Sequence, residues 1–474
     1  MSVRSRRLAA WVAFLLLCPV FTVARQGQGG GAETNFKKHL TKIKHIIVIY
    51  QENWSFDGLY GQFPGANGLS KDDRANPQVD QNGGLLKALP QVINNQVDPA
   101  VPDKRFPPAN GDASLLVEPF DLKRYVTTEE TTGDLIHRFY HEQLQIDGGK
   151  MDKFVAWSDN GGLVLSYFNA SDLPEGKLAN EYVLCDNFFH SAFGGSFLNH
   201  QFFVAAAAPR WVNPPANAIS DPDPAHLNDA IVTPEGYAVN TVFSVNSPHP
   251  QNLGRSQLLP EQTNPTIGDR LSTRRVSWKW YSGGWDDALA GHPDALFQFH
   301  HQPFAYYKNL ADGTAARKAH LQDESRFFVD LERGRLPSVT FIKPLGPDNE
   351  HPGYASLLRG QEHVARIVEA IRNSKIWDDC VIIITYDENG GRWDHVSPPA
   401  GDKFGPGTRV PAIVISPFAK KHFIDHAEYE TLSIMRLIEL RFGLAPLAER
   451  DAKADPLTSA FEFGAAAAAS GPAR

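Results

Sequence analysis

Residues 45–53 read His45-Ile46-Ile47-Val48-Ile49-Tyr50-Gln51-Glu52-Asn53. A short, β-branched apolar run without alternation fits a strand buried on both faces, as in a parallel sheet. The strand is expected over His45–Tyr50, and it stops on three polar side chains. In open α/β sheets ligands bind beyond the carboxyl ends of the strands. A second run, Val381–Tyr386, ends the same way, on Asp387-Glu388-Asn389-Gly390-Gly391. Val339–Lys343 and Ala412–Ser416 read as further parallel strands. Apolar residues at helical spacing (Val364, Ile367, Val368, Ile371) predict a helix over 361–374. Leu432, Met435, Leu437 and Leu440 predict another over 429–442. Strands alternating with helices imply an α/β fold with a central, mostly parallel sheet. Residues 205–270 are rich in Pro, Asn and Ser, and read as a loop-rich insertion or cap. No internal repeat is visible.

The chain has 474 residues and a formal charge of −8, from 46 Lys and Arg against 54 Asp and Glu. This length can bury a core without staples. Three cysteines exclude a disulfide scaffold. Cys185 and Cys380 are either a pair or two buried thiols. The acidic balance argues against nucleic acid as a partner. Residues 1–24 carry Arg4, Arg6 and Arg7 before an apolar run, then Thr22-Val23-Ala24. That is the layout of a cleaved export signal, with Arg6-Arg7 hinting at the twin-arginine route. The chain is therefore expected to be secreted or periplasmic, without a stable membrane anchor. Losing three arginines and no acid leaves the mature chain at −11. Residues 25–42 read as a linker, 43–463 as one catalytic domain, and 464–474 as an Ala-rich tail.

Glu52, Asn53, Asp387 and Glu388 place three carboxylates and an amide at one sheet edge. Hard oxygen donors of this kind suit a divalent cation. Gly194-Gly195-Ser196 fits a tight turn presenting a hydroxyl, although the Gly-x-Ser-x-Gly elbow is absent. Among the 17 histidines, His300-His301 sit in an aromatic frame. His351 precedes Pro352, and His395 follows Asp394. His137 and His141 are spaced as one helix face. His39, His226, His249, His320, His422 and His426 read as packing or surface residues.

Several stretches together resemble the phosphoesterase family that contains bacterial phospholipases C and a group of acid phosphatases. That family is similar to a branch of the alkaline-phosphatase superfamily. The stretches are Ile46–Asp57, Gly148-Gly149-Lys150-Met151-Asp152, Gly195-Ser196-Phe197-Leu198-Asn199, the His300-His301 frame, His351-Pro352, Tyr386–Gly391 with Asp394-His395-Val396, and Arg409-Val410-Pro411. The resemblance implies a three-layer α/β/α fold of alkaline-phosphatase type. It implies that Glu52, Asn53, Asp387 and Glu388 hold the metal, with Ser196 as nucleophile and a further metal contact. It implies that His137, His300, His301 and His351 line a phosphate pocket, and it groups Asn199 and Lys150 with the substrate-binding residues. His395 is expected just behind. Leu198 stands where the family often has proline.

The chemistry that follows is in-line displacement through a phosphoserine, with metal and histidines balancing phosphate charge. A protonated His301 or His351 is expected to serve the leaving oxygen, which would favour acidic pH. Within the family, serine at 196 resembles the acid phosphatases, whereas the phospholipases usually show threonine. No β-rich module follows helix 429–442, as it does in the larger phospholipases. The leading expectation is a phosphomonoesterase acting on a small phosphate ester. The alternative is a phospholipase C acting on a phospholipid head group. A sulfatase would need Cys/Ser-x-Pro-x-Arg, and Cys185 is followed by Asp186-Asn187. A non-catalytic envelope binding protein would have lost a matched position, and none is lost.

Overall fold

The run at residue 45 forms strand β1 (His45–Gln51), and every residue beyond His45 in it is buried. The computed structural model describes residues 29–70, 77–109 and 114–464. The export signal, and all of the Ala-rich tail beyond Gly464, lie outside those residues. Seven more strands share a sheet with β1: β2 (Val183–Cys185), β3 (Trp278–Ser282), β4 (Leu321–Asp323), β5 (Val339–Lys343), β6 (Cys380–Tyr386), β7 (Ala412–Ile415) and β8 (Phe423–Asp425). Their spatial order is β8-β2-β7-β6-β1-β5-β3-β4. β1 is parallel to both neighbours, β5 and β6. Four consecutive aliphatic residues of β1, Ile46 to Ile49, are fully buried. Each such side chain contributes about 1.5–3 kcal/mol through burial.

The sheet is mostly parallel as expected, and one strand, read as parallel over Ala412–Ser416, runs the other way. β7 is antiparallel to both β6 and β2. Buried strands of either direction show the same continuous apolar run, so direction is not encoded in the residues of β7 themselves.

Helices form a layer on each face. α1 (Gly29–Leu40), α4 (Ser196–Ala205) and α6 (Thr431–Phe442) pack in one group. α3 (Pro174–Glu181) and α5 (Leu357–Arg372) pack in another. α5 starts earlier than expected because Ser356 caps it, accepting from Arg359 N. Its buried face is the expected Val364, Ile367, Val368 and Ile371. α6 starts at Thr431 because Tyr429 and Glu430 pair with Phe188 and Phe189 instead. α1 occupies much of the segment read as a linker, and its Phe36 and Leu40 join the core. The stretch 207–266 carries isolated bridges, such as Arg210 to Tyr237, and single 3-10 turns. Cys185 and Cys380 are buried free thiols. Among the described residues, no helix is long and apolar enough to cross a membrane.

Candidate active site

Parallel register puts Gln51 of β1 beside Tyr386 of β6. The next residues, Glu52 and Asp387, therefore leave the sheet side by side. On the other flank Ile49 pairs with Ile342, which brings Lys343 of β5 to the same edge. Three adjacent strands thus deliver three carboxyls and an ammonium, all fully buried or nearly so.

Backbone geometry explains the glycines and the asparagine here. Asn53 is left-handed (φ 63°), a conformation asparagine tolerates better than most residues. A Cβ at Gly390 would lie 2.4 Å from Asn53 O, so only glycine lets the two strand-end loops meet. A Cβ at Gly195 would lie 2.7 Å from His137 O, and one at Gly194 2.6 Å from Phe139 N. The paired glycines therefore seat the serine turn against the His137 segment. Ser196 is the first residue of α4, where free backbone N–H groups favour an anion.

The groups converge through a hydrogen-bond chain. Ser196 Oγ donates to Glu52 Oε2 at 3.0 Å and lies 3.5 Å from Asn53 Oδ1. Glu52 Oε1 contacts Lys343 Nζ and lies 3.1 Å from His301 Nε2. Asn53 Nδ2 donates to His351 Nε2 at 2.9 Å. Asp387 Oδ1 accepts from Asn53 N at 3.2 Å and Glu388 N at 2.8 Å. His137 Nδ1 donates to Leu135 O at 2.6 Å, leaving Nε2 3.9 Å from Glu388 Oε1. His300 and His301 form a single 3-10 turn with Phe299. Their ring centroids are 4.7 Å apart.

Burial sets the protonation states. It pushes the Asp387 and Glu388 carboxyls well above their ordinary values, reinforced by Glu52 at Asp387 and by Asp387 at Glu388. Burial would also raise Glu52, but His301 and Lys343 outweigh it and hold that carboxyl well down. Desolvation lowers His301 to about 4, and lowers His300 and His351 too. The cationic histidine expected for the leaving oxygen is thus disfavoured, and neutral imidazoles stand in its place.

The donor set fits a divalent cation. Asp387 Oδ2 and Glu388 Oε1 are buried without a hydrogen-bond partner. Such orphaned carboxylate oxygens are costly unless a cation meets them. Glu52, His200 and His301 also lie within ligand reach of one another.

Two expected residues are not part of this cluster. The Lys150 side chain is 68% exposed and pairs with Asp147 at 2.7 Å. Asn199 is buried beneath the serine turn, where Nδ2 donates to Ala192 O at 2.9 Å and Oδ1 accepts from Ala192 N at 2.9 Å. Both polar ends of Asn199 are spent on holding the turn. The helical pair His137 and His141 is also corrected. α2 (Phe139–Ile146) begins after His137, and His141 turns away to Asp229 at 2.9 Å. His395 pairs with Asp57 at 2.7 Å, in a separate network.

Two residues of the cluster went unread in the sequence. Lys343 ends an ordinary strand run. His200 sits among Phe and Leu in α4, with Nδ1 donating to Ser196 O at 2.7 Å. Its buried Nε2 has no partner. Spacing offered one signal for His200: it stands one helical turn after Ser196.

A polar cavity of about 490 Å³ opens beside His137 and Gly195, lined also by Asn95, Gln96, Asp134 and Asp159. Asn240 and Thr241 reach it from the loop-rich insertion.

The profile of the phosphoesterase family matches residues 43–445. Phospholipase C B of Mycobacterium tuberculosis is 26% identical over 467 residues, covering 90% of this chain and 79% of the relative. The non-hemolytic phospholipase C of Pseudomonas aeruginosa is 24% identical, over 90% and 58%. Among solved structures, a protein in the alkaline phosphatase superfamily from Vibrio parahaemolyticus aligns with TM-score 0.33 and 12% identity, over 59% of this chain and 65% of that one.

Proposed function

The chain belongs to the phosphoesterase family, and from that premise we propose that this phosphoric ester hydrolase is a phosphomonoesterase working through Ser196. The observation that carries the reading is the Ser196 Oγ to Glu52 Oε2 hydrogen bond of 3.0 Å at the start of α4, inside a ring of buried histidines. Glu52, Asn53, Asp387, Glu388 and Ser196 are the residues that would hold a divalent cation. When bound, that ion supplies charge balance for the phosphate and eases loss of the serine proton.

The chain's own groups account for the remaining steps. Glu52, held ionised by His301 and Lys343, takes the Ser196 proton. Oγ attacks phosphorus, the P–O bond to the alcohol breaks, and Ser196 carries the phosphoryl group. The departing alkoxide takes that proton back from Glu52 through water, which restores the carboxylate. A second water attacks phosphorus and releases phosphate, restoring the hydroxyl. The N–H groups starting α4 supply donors to the phosphoryl oxygens, and His137, His300, His301 and His351 line the pocket around them. Asn199 keeps the turn in place, and Lys150 has no part.

The cavity at the mouth favours a water-soluble ester, because amides, carboxylates and a hydroxyl line it rather than a broad apolar wall. The second reading, phospholipase C, is favoured by the names of relatives at 24–26% identity. Residues 1–24 are proposed to export the chain. The discriminating experiment assays the mature chain on p-nitrophenyl phosphate, phosphatidylcholine and a sulfate ester, with and without chelator. Chelator-sensitive turnover of the monoester above the others is expected. Turnover of phosphatidylcholine alone would replace the monoesterase reading with the lipase.

A further inference from the structure

Immediately behind the metal-binding edge lies a second set of buried acids that the chemistry above does not use. Glu175 of α3 and Glu350, just before His351, are both fully buried. Between them stands the Tyr386 hydroxyl, 2.6 Å from Glu350 Oε2 and 3.1 Å from Glu175 Oε2. Gln51 Nε2 donates to Glu350 Oε1 at 2.7 Å. No cation reaches either carboxyl among the described residues.

A proton count assigns the charges. The phenol has one proton, and the short distance gives it to Glu350. The Glu175 oxygen therefore needs a proton of its own to face another oxygen. Burial raises both carboxyls, Glu175 well above the ordinary value with Glu350 adding to it. One neutral acid and one carboxylate, sharing a phenol, satisfy this geometry.

Two partners of Glu350 are neighbours of the site in sequence. Gln51 precedes Glu52, Tyr386 precedes Asp387, and Glu350 itself precedes His351. The main chain at Asn349 and Glu350 grips the same edge. Trp54 Nε1 donates to Glu350 O at 3.0 Å, and Glu52 N donates to Asn349 O at 3.0 Å. Glu350 is held left-handed, at φ 72°. Strain of this kind persists only where surrounding contacts over-determine it. A Cβ at Gly360 of α5 would lie 2.2 Å from Glu350 Cγ, so the helix leaves a notch for this side chain.

We propose that Glu350, an ionised carboxylate supported by a neutral Glu175, is a positioning residue that fixes Glu52, Asp387 and His351 relative to one another. It acts on the metal ligands through Gln51 and Tyr386, and it rests on the metal-binding reading of those ligands. A packing residue would affect folding alone. A positioning residue affects metal affinity and turnover in a folded protein.

The test titrates Mn²⁺ into the full chain by calorimetry and measures kcat and KM on p-nitrophenyl phosphate, with near-UV circular dichroism reporting the fold. Glu350→Gln is expected to weaken Mn²⁺ binding at least tenfold and to lower kcat at least tenfold, with KM within twofold. Glu175→Gln keeps an N–H donor where the acid proton was, and is expected to stay within twofold throughout. Tyr386→Phe removes one link and leaves the charge, and is expected to weaken Mn²⁺ about fivefold. It carries the test if Glu350→Gln fails to fold. Wild-type protein that binds no Mn²⁺ overturns the metal site, and this proposal with it. Wild-type binding matched by Glu350→Gln, or by Tyr386→Phe where the former is unfolded, overturns this proposal alone. Equal losses in Glu175→Gln and Glu350→Gln overturn the assignment of the proton.

Discussion

Two buried acid–histidine clusters sit at the same sheet edge, and they differ in how completely their polar atoms are paired. In one, Arg409 lies among Asp57, Asp394 and His395. Its Nε donates to Asp394 Oδ1 at 2.8 Å, and Nη2 reaches Asp57 Oδ1 at 3.1 Å and Asp394 Oδ2 at 3.2 Å. Its Nη1 donates to Asp186 O and Asn67 O, both at 2.7 Å. Asp57 Oδ2 accepts from His395 N at 2.7 Å. In the other, Asp387 Oδ2, Glu388 Oε1, His200 Nε2 and His300 Nδ1 have no hydrogen-bond partner. By proximity alone, Asp57, Asp394 and His395 qualify as a metal-binding group as readily as Glu52, His200 and His301 do. The guanidinium already fills the first place. Pairing, not proximity, separates a structural network from a site.

That contrast predicts opposite consequences for similar substitutions. Ser196→Ala strikes the open cluster and is expected to cost the largest effect, about 10⁴-fold in kcat/KM, or about 5 kcal/mol. Its melting temperature is expected within a few degrees of wild type. Retention of activity would remove the nucleophile from the open cluster. Arg409→Met strikes the closed network and leaves two buried carboxylates without their cation. A loss of about 3–5 kcal/mol in folding stability is expected by denaturant titration. A folded variant of wild-type stability would mean that the network contributes nothing to the fold.

Asp387→Asn should act the other way. Burial and the neighbouring Glu52 raise this carboxyl well above its ordinary value. A raised acid loses its stabilising contribution as pH climbs through the folded-state value, so the ionised form burdens the metal-free fold. The amide is therefore expected to leave metal-free stability equal or higher at neutral pH. It is expected to weaken divalent-cation binding by at least about 100-fold, near 3 kcal/mol, since groups that only support a ligand already contribute up to roughly that much. Calorimetry beside a thermal melt separates the two readouts. A destabilised metal-free variant would put Asp387 in the same class as Asp394.

The open cluster was partly legible because a strand announces its own end. The runs at 45 and 381 stop on Glu52-Asn53 and Asp387-Glu388, and sheet register does the rest. Ser196 and the four pocket histidines came from family resemblance, since spacing does not bring residues so distant in the chain together. Lys343 was illegible because a lysine after an apolar run looks like a solvated strand end. Glu350 and Glu175 were illegible for a related reason. A glutamate in a Pro- and Gly-rich stretch reads as surface, and only packing puts it under the sheet edge. Lys150 and Asn199 show the opposite case, where motif membership grouped them with the site and their side chains engage Asp147 and Ala192 instead. The reversed β7 was illegible because direction depends on connection, not on composition.

The smallest expected effect tests whether the closed network is closed to protons as well as to metal. Burial alone would lower His395, but its hydrogen bond to Asp57 and the charge of that carboxylate hold the imidazole above its ordinary value. A histidine raised in the folded state adds stability that is full below the unfolded value, about 6.5. That stability is lost as pH rises through the folded-state value. The wild-type stability curve should therefore fall between roughly pH 6.5 and the alkaline side, and His395→Asn should flatten that part of it. The difference between the two curves, measured by denaturant titration at pH 6 and 9, isolates this residue from every other titrating group. Curves that run parallel would show that Arg409, rather than the imidazolium, already satisfies Asp57, and that His395 adds contact without charge.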